Sequence, residues 1–253
     1  MSSDIWTRCA GSSEIRGISG RARRAVEAQH VVSTAKLTDT LGEQAVLERL
    51  IESAKPALPR DRAFGGRHFL LTTSFRYPPL RHGSRFATRA ERSLWYGAHE
   101  LRTVFAEVAY YRLVFLEGTH APLESLETEL SVFSVPYRTR KGVDLTRAPF
   151  DAHRAAIASK GDYRASQALG AAMRAAGVEA FRFPSARDPE GGTGFAAFSP
   201  SAFAAGPSET RTWWCRASRE GVLFLRKDAF SRESLTFSRS SFLQSGRLPQ
   251  PAP

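Results

Sequence analysis

Apolar positions recur with helical spacing in three parts of the chain. Residues 25–54, 100–116 and 162–176 each carry a repeat near 3.6 residues, which predicts amphipathic helices. The inward positions are Leu47, Leu50, Ile51 and Ala54 in the first; Leu101, Val104, Phe105, Val108, Tyr111 and Phe115 in the second; and Leu169, Ala172, Met173 and Ala176 in the third. Gly177 then follows as a predicted C′ residue.

The first of these segments contains a second helix-start signal. Thr40 is followed three residues later by Glu43, which is the spacing of a capping box. Lys55-Pro56 ends the apolar repeat. The segment therefore predicts two helices rather than one.

Shorter apolar and β-branched runs between these helices predict strands. They occupy residues 68–77, 94–96, 129–137, 178–183, 212–216 and 222–226, with an edge strand at 236–242. Pro78-Pro79 ends the first run, and residues 218–221 form a hairpin-like turn between the fifth and sixth. Helices and strands alternate without a regular βαβ order, which favours an α+β fold with a mixed sheet.

The ends of the chain lack such periodicity. Residues 1–24 are rich in Ser, Gly and Arg and predict a mobile N-terminus, and residues 25–60 predict a helical extension. Residues 61–245 then form one large domain, and the proline-containing tail at 246–253 predicts disorder.

Composition narrows the class of protein. The chain has 42% hydrophobic and 24% charged residues, which is typical of a globular protein, and no apolar run approaches the ~20 residues of a membrane helix. The N-terminus has no apolar signal region, and two isolated cysteines indicate a reducing compartment, so we expect a cytoplasmic protein. The net charge of +11 suggests an anionic partner, although abundant arginine alone also explains it.

One stretch, residues 83–107, concentrates candidate chemistry. Arg85 follows a Gly-Ser turn signal, Tyr96 ends a short apolar run, and Glu107 lies inside a predicted helix. A cation, an aromatic ring and an acid from three elements would suit an anionic, aromatic ligand such as a dinucleotide.

Glu107 is the most unusual of the three. It borders the apolar stripe of its helix, and no basic residue lies three or four positions away to pair with it. Arg76 is a second candidate cation for the same site as Arg85. The loop at 191–194 resembles a phosphate cradle without the P-loop lysine, and the histidines show no metal-binding spacing.

The same stretch resembles the RES domain family. The matching residues are Gly83-Ser84-Arg85-Phe86, Trp95-Tyr96, Ala106-Glu107, Phe183-Pro184-Ser185 and Gly192-Thr193-Gly194, and the resemblance covers about residues 70–225. RES proteins are the toxins of RES–Xre toxin–antitoxin pairs and consume NAD. Their fold is similar to that of ADP-ribosyltransferases, so the resemblance implies a split mixed sheet with surrounding helices.

The resemblance implies a role for each of these residues. Glu107, Arg85, Tyr96 and Ser185 would be catalytic, and Arg76, Gly83, Ser84, Phe86 and Thr193 would bind the dinucleotide. NAD would be a substrate rather than a cofactor, with water or inorganic phosphate as acceptor. The implied partners are NAD and an Xre-like antitoxin, with a homo-oligomer as a further expectation and nucleic acid reached only through the antitoxin.

Two other functions remain open from the sequence. A protein ADP-ribosyltransferase on the same scaffold would label a macromolecule instead of depleting NAD. A nucleic-acid-binding protein would use the basic surface, although the arginines are spread along the chain and no RNP, helix-turn-helix or zinc-finger motif is present.

Overall fold

The computed structural model describes residues 4–28, 37–77 and 81–250. In these ranges, eight strands form one mixed sheet in the order β1-β2-β5-β4-β3-β6-β7-β8. Their bounds are β1 Arg16–Glu27, β2 Trp95–Ala98, β3 Ser125–Asp144, β4 Ala180–Pro184, β5 Thr193–Ala197, β6 Ser208–Ser218, β7 Gly221–Arg226 and β8 Ser234–Ser238. The pairing of β3 with β4 is parallel and the other ladders are antiparallel. The predicted α+β fold with a mixed sheet is confirmed.

Strand β3 organises the sheet because it is 20 residues long. Along one edge it pairs with β1, and along the other it pairs first with β6 and then with β4. Since β1 also pairs with β2, the order β1-β2-β5-β4-β3 closes on itself, while β6, β7 and β8 extend as a separate wing. The sheet is therefore divided at β3.

Within the described ranges, six α-helices accompany the sheet: α1 Ile5–Arg8, α2 Leu41–Ala54, α3 Phe69–Thr72, α4 Leu101–Gly118, α5 Arg154–Ile157 and α6 Arg164–Ala175. The predicted helix at 162–176 is confirmed by α6, and Gly177 has the left-handed φ of +75° expected of its C′ residue. The predicted hairpin is confirmed by β6 and β7, and β8 lies at the edge of the sheet.

Helix α4 confirms the predicted helix at 100–116, but its buried face is rotated from the predicted one. Phe105 is fully buried between Trp213 and Phe224, whereas Tyr111 and Phe115 are about half exposed. Alanines and other residues fill the interface instead: Ala106, Ala109, Tyr110, Leu113 and Leu116. The observed buried face differs from the predicted one because one side of this helix borders a cleft rather than the core.

The N-terminal segment is ordered, so the prediction of a mobile residue range 1–24 is wrong for its described part. Asp4 caps α1, and Trp6 is buried against Phe150 with ring centroids 6.1 Å apart. Strand β1 then pairs with β3 over most of its length. This strand was not predicted because its many arginines leave no regular alternation of apolar and polar positions.

The helical extension predicted at 25–60 is correct in part. The Thr40–Glu43 capping box is present at the start of α2, but residues 25–27 belong to β1. The remainder of the first predicted helix falls on residues 29–36, outside the described residues. No side chain of α2 is buried.

Two further predictions are wrong. Residues 68–77 form α3 and a 3₁₀ turn rather than a strand, because Leu71 and Phe75, four positions apart, are the buried pair. The tail from 246 is not disordered over its described residues. Leu248 is buried, and the Tyr110 hydroxyl donates a hydrogen bond to the Pro249 carbonyl oxygen.

Both cysteines are free and buried. Within the described ranges, no helix combines the length and the apolar character that crossing a membrane requires.

Candidate active site

A cleft of about 480 Å³ opens between α4, β2 and the loop that precedes β2. Arg85, Tyr96 and Glu107 all line it, so the structure brings together the three residues that the sequence singled out. Its volume lies within the range of small-molecule sites, about 300–1,000 Å³.

Glu107 is held from behind by Ser185. The Ser185 hydroxyl donates to Glu107 Oε1 at 2.9 Å, and its oxygen accepts the backbone N–H groups of Arg187 at 3.2 Å and Asp188 at 3.1 Å. Ser185 is buried, and its hydroxyl is fully occupied by these contacts. It therefore acts on the cleft through Glu107.

Arg85 is pre-oriented at the cleft wall. Its Nη1 donates to the Ser159 carbonyl oxygen at 2.7 Å, and its guanidinium lies 4.6 Å from the centre of the Tyr163 ring. The side chain is only 8% exposed and forms no ion pair among the described residues. Its other N–H groups remain available to an anion in the cleft.

The Tyr96 hydroxyl lies among local polar groups. It is 2.9 Å from the Ser84 hydroxyl, and it accepts the backbone N–H of Phe86 at 3.2 Å. Burial raises the pKa of Tyr96 to about 12, so the phenol stays protonated at neutral pH. Trp95, on the other face of β2, is fully buried, as expected from the alternation of side chains along a strand.

The turn before Tyr96 depends on Gly83. Gly83 has φ of +74° and lines the cleft, and a Cβ at this position would collide with the Ala87 carbonyl oxygen. Ser84 also lines the cleft. Phe86 points into the core instead, edge-on to Phe181 at 4.8 Å, so its contribution to the site is its backbone N–H.

Two predicted binding residues lie elsewhere. Arg76 donates to Glu52 Oε1 at 3.0 Å and to the Pro56 carbonyl oxygen, so it fastens α2 to the body of the protein and does not line the cleft. Its position changed because the segment is helical rather than extended. Thr193 donates its backbone N–H to Glu100 at 3.1 Å, and its neighbour Gly194 lines the cleft.

The glycine-rich loop at 191–194 closes on α4. A Cβ at Gly192 would overlap the Thr103 hydroxyl, so this glycine permits close packing against the helix. Thr103 in turn donates to Asp188 Oδ2 at 2.7 Å. The loop thus anchors the segment that carries Ser185.

Sequence reasoning missed a second cation in the cleft, Arg24. It lies on β1, donates from Nη1 to the Ser74 hydroxyl at 2.7 Å, and stands 5.1 Å from the Trp95 ring centre. Burial lowers the pKa of Arg24 to about 10, which leaves it charged at neutral pH. The position of Arg24 in the cleft could have been predicted only if β1 had been recognised as a strand.

Two tyrosines complete the wall. Tyr163 is buried beneath Arg85, and Tyr111 lies one helical turn after Glu107 at the rim. Although about half of the Tyr111 side chain is exposed, desolvation of its hydroxyl, followed by the neighbouring Tyr163 and Glu107, raises the pKa of Tyr111 well above its ordinary value. The described residues of the cleft therefore combine two cations, one carboxylate and several tyrosine rings, which suits an anionic ligand with aromatic rings.

No cluster of His, Cys, Asp and Glu suited to a metal ion occurs within the part of the chain that the structure describes.

Comparisons with known proteins place the chain in a family. A search of curated proteins returns no significant match. A chain in the crystal structure of the M. tuberculosis MbcT–MbcA toxin–antitoxin complex is 13% identical, with 92% of each chain covered and a TM-score of 0.45. The RES domain profile matches residues 60–217, which is more than half of the sequence and includes Arg85, Tyr96, Glu107 and Ser185. The chain therefore belongs to the RES domain family.

Proposed function

We propose that this protein cleaves the bond between nicotinamide and ribose in NAD. The observation that carries the proposal is the meeting of Arg85, Tyr96 and Glu107 in one cleft, with Ser185 holding the carboxylate. An anionic dinucleotide with two aromatic rings matches the charge and the aromatic lining of that cleft.

Glu107 supplies the main catalytic effect. Cleavage of this bond passes through a state with positive charge on the ribose, as in glycoside hydrolysis. A fixed carboxylate stabilises that charge and accepts a hydrogen bond from a ribose hydroxyl. Nicotinamide leaves as a neutral molecule, so no general acid is needed.

The cations bind the diphosphate. Arg85 presents its free N–H groups from a guanidinium already held by Ser159 and Tyr163, which limits the entropy lost on binding. Arg24 adds a second positive charge from β1. Both lie in a partly desolvated cleft, where charge pairs are stronger than in water.

Tyr96 orients the substrate. Its ring packs edge-on to Phe183 at 6.2 Å, and its hydroxyl is fixed by Ser84 and Phe86. A rigid aromatic in this position packs against the nicotinamide or its ribose. The hydrogen bond from Ser185 keeps the Glu107 carboxylate directed at the nicotinamide ribose.

The experiment incubates purified protein with NAD and separates the products. Free nicotinamide with ADP-ribose indicates water as acceptor, and a phosphorylated ADP-ribose formed only with added phosphate indicates phosphorolysis. ADP-ribose attached to a protein instead supports a transferase on the same scaffold. Intact NAD with folded protein contradicts all three.

Membership of the RES family also supports a toxin role with an Xre-like antitoxin. Expression without a partner should deplete cellular NAD and arrest growth. Expression of the Glu107→Gln variant at the same level is the control. Unchanged NAD during confirmed expression of the wild-type protein would contradict the toxin role.

A further inference from the structure

Arg187 is a buried cation without a counter-ion among the residues that the structure describes. It is 3% exposed, forms no salt bridge with any described residue, and has two nitrogen atoms, Nε and Nη1, without a hydrogen-bond acceptor. Its guanidinium carbon lies 3.5 Å from the centre of the Tyr110 ring, which compensates for part of the lost hydration. An unpaired buried charge is costly, so this arginine requires an explanation beyond stability.

The remaining contacts of Arg187 lead to the cleft. Its Nη2 donates to the Tyr163 hydroxyl at 3.1 Å and to the Lys160 carbonyl oxygen at 2.7 Å. Tyr163 lines the cleft and lies beneath the Arg85 guanidinium. Arg187 therefore contacts the residue on which Arg85 rests, without lining the cleft itself.

The two arginines fix the same stretch of backbone. Residues 157–163 run from the last residue of α5 to the start of α6, and three side-chain hydrogen bonds hold their backbone: Arg85 donates to the carbonyl oxygens of Ile157 and Ser159, and Arg187 donates to that of Lys160. If Arg187 is lost, Tyr163 and the Lys160 carbonyl lose their fixed donor. Arg85 then loses the rigid surface that orients it.

Glu107 is fixed by a different set of contacts. Ser185 donates to it and accepts the backbone N–H of residue 187, and that contact does not depend on the side chain at 187. The two supports of the cleft can therefore be separated by mutation.

We propose that Arg187 is a positioning residue that orients Arg85 for substrate binding through Tyr163 and the 157–163 segment. This inference rests on the proposed cleavage of NAD. Arg187 then affects the binding of NAD and not the bond-breaking step.

The test measures KM and kcat for NAD in Arg187→Met and Tyr163→Phe. Arg187→Met should raise KM on the order of tenfold and leave kcat within about twofold, because interactions lost equally in the bound and transition states change KM alone. Tyr163→Phe removes only the hydroxyl that Arg187 holds and should shift KM in the same direction by less. In an Arg85→Ala background, Arg187→Met should add no further increase in KM.

Arg174→Met is the matched control. Arg174 also lies over an aromatic ring, 4.4 Å from the centre of Phe198, and also has a buried Nε without an acceptor, but it does not line the cleft. This variant should keep the wild-type KM.

A purely structural role for Arg187 would lower the active fraction, and so kcat, at unchanged KM; that result overturns the inference. A further rise of KM in the Arg85→Ala background also overturns it.

If Arg187→Met does not fold, Tyr163→Phe decides alone, and an unchanged KM in Tyr163→Phe overturns the inference. A wild-type protein that consumes no NAD overturns the proposed function and this inference with it, whereas active wild type with unaltered variants overturns this inference only.

Discussion

The Ser185 hydroxyl donates a hydrogen bond to Glu107 Oε1 at 2.9 Å, across 78 positions of sequence. This contact joins the loop after β4 to the middle of α4. Since the serine oxygen also accepts two backbone N–H groups, its proton is directed at the carboxylate. The orientation of the one acid on the cleft wall is thus set by a residue behind it.

Replacing Glu107 by glutamine should abolish most NAD cleavage while the protein folds normally. The amide oxygen can still accept from Ser185, but the charge that stabilises the ribose cation is gone. We expect a loss of about 100-fold or more, roughly 2.7 kcal/mol in activation free energy. Glu117→Gln on the same helix, where the carboxylate pairs with Arg239 at 2.8 Å, is the control and should keep full activity. Comparable turnover in the two variants would assign the role to another residue.

Ser185→Ala should lower kcat by about tenfold with little change in KM, because Glu107 loses the donor that orients it. It should also reduce stability by about 1–3 kcal/mol, since two buried N–H groups lose their acceptor. Steady-state kinetics and thermal unfolding measure the two effects separately. Ser185→Thr retains a hydroxyl and should recover much of kcat; if it does not, the shape of the loop matters more than the hydrogen bond.

Arg85→Ala and Arg76→Ala should behave differently. Removal of the Arg85 guanidinium from the cleft should raise the KM for NAD and leave kcat largely intact, because the diphosphate lies away from the breaking bond. Removal of Arg76 breaks its ion pair with Glu52 and should leave both constants unchanged. Side-by-side kinetics check this, and a raised KM in Arg76→Ala alone would exchange the two assignments.

Trp6→Ala should destabilise the protein by about 3 kcal/mol or more, as expected for loss of a buried aromatic side chain. Trp6 is 9% exposed and stacks with Phe150, so the N-terminal helix belongs to the core. Leu41→Ala on α2, at a position 84% exposed, should change stability by less than about 0.5 kcal/mol. Chemical denaturation of both variants measures the contrast, and equal stabilities would mean that the N-terminus contributes little.

Stability should fall at alkaline pH partly through Cys215. Burial raises the pKa of this thiol from 9.0 to about 11. The unfolded chain therefore releases the proton at a lower pH than the native protein, and the free energy of unfolding decreases as pH rises from about 9 to 11. The contribution is about 2–3 kcal/mol. Cys215→Ala should lose less stability over that interval than wild type in denaturation series at several pH values; parallel curves would contradict the assignment.

Elements whose signals are local could be predicted from the sequence. The apolar repeat of residues 100–116 identified α4, the Thr40–Glu43 spacing identified the start of α2, and Gly177 marked the end of α6. Hydrogen bonds and side-chain contacts within a few positions decide these features. The order of Arg85, Tyr96 and Glu107 likewise indicated the site through the motifs that surround them.

Features that depend on distant partners follow from the packing of the whole fold and could not be predicted locally. Strand β1 pairs with β3 more than 100 residues away, and its arginine-rich sequence carries no alternation that predicts this. For that reason the position of Arg24 in the cleft was not predicted. Arg76 was a candidate for the cleft because of its neighbours in the sequence, but it pairs with Glu52 instead. Because α4 packs beside a cleft, Tyr111 is about half exposed and does not lie in the core as predicted. In each case the free energy comes from contacts between segments, which a local pattern does not contain.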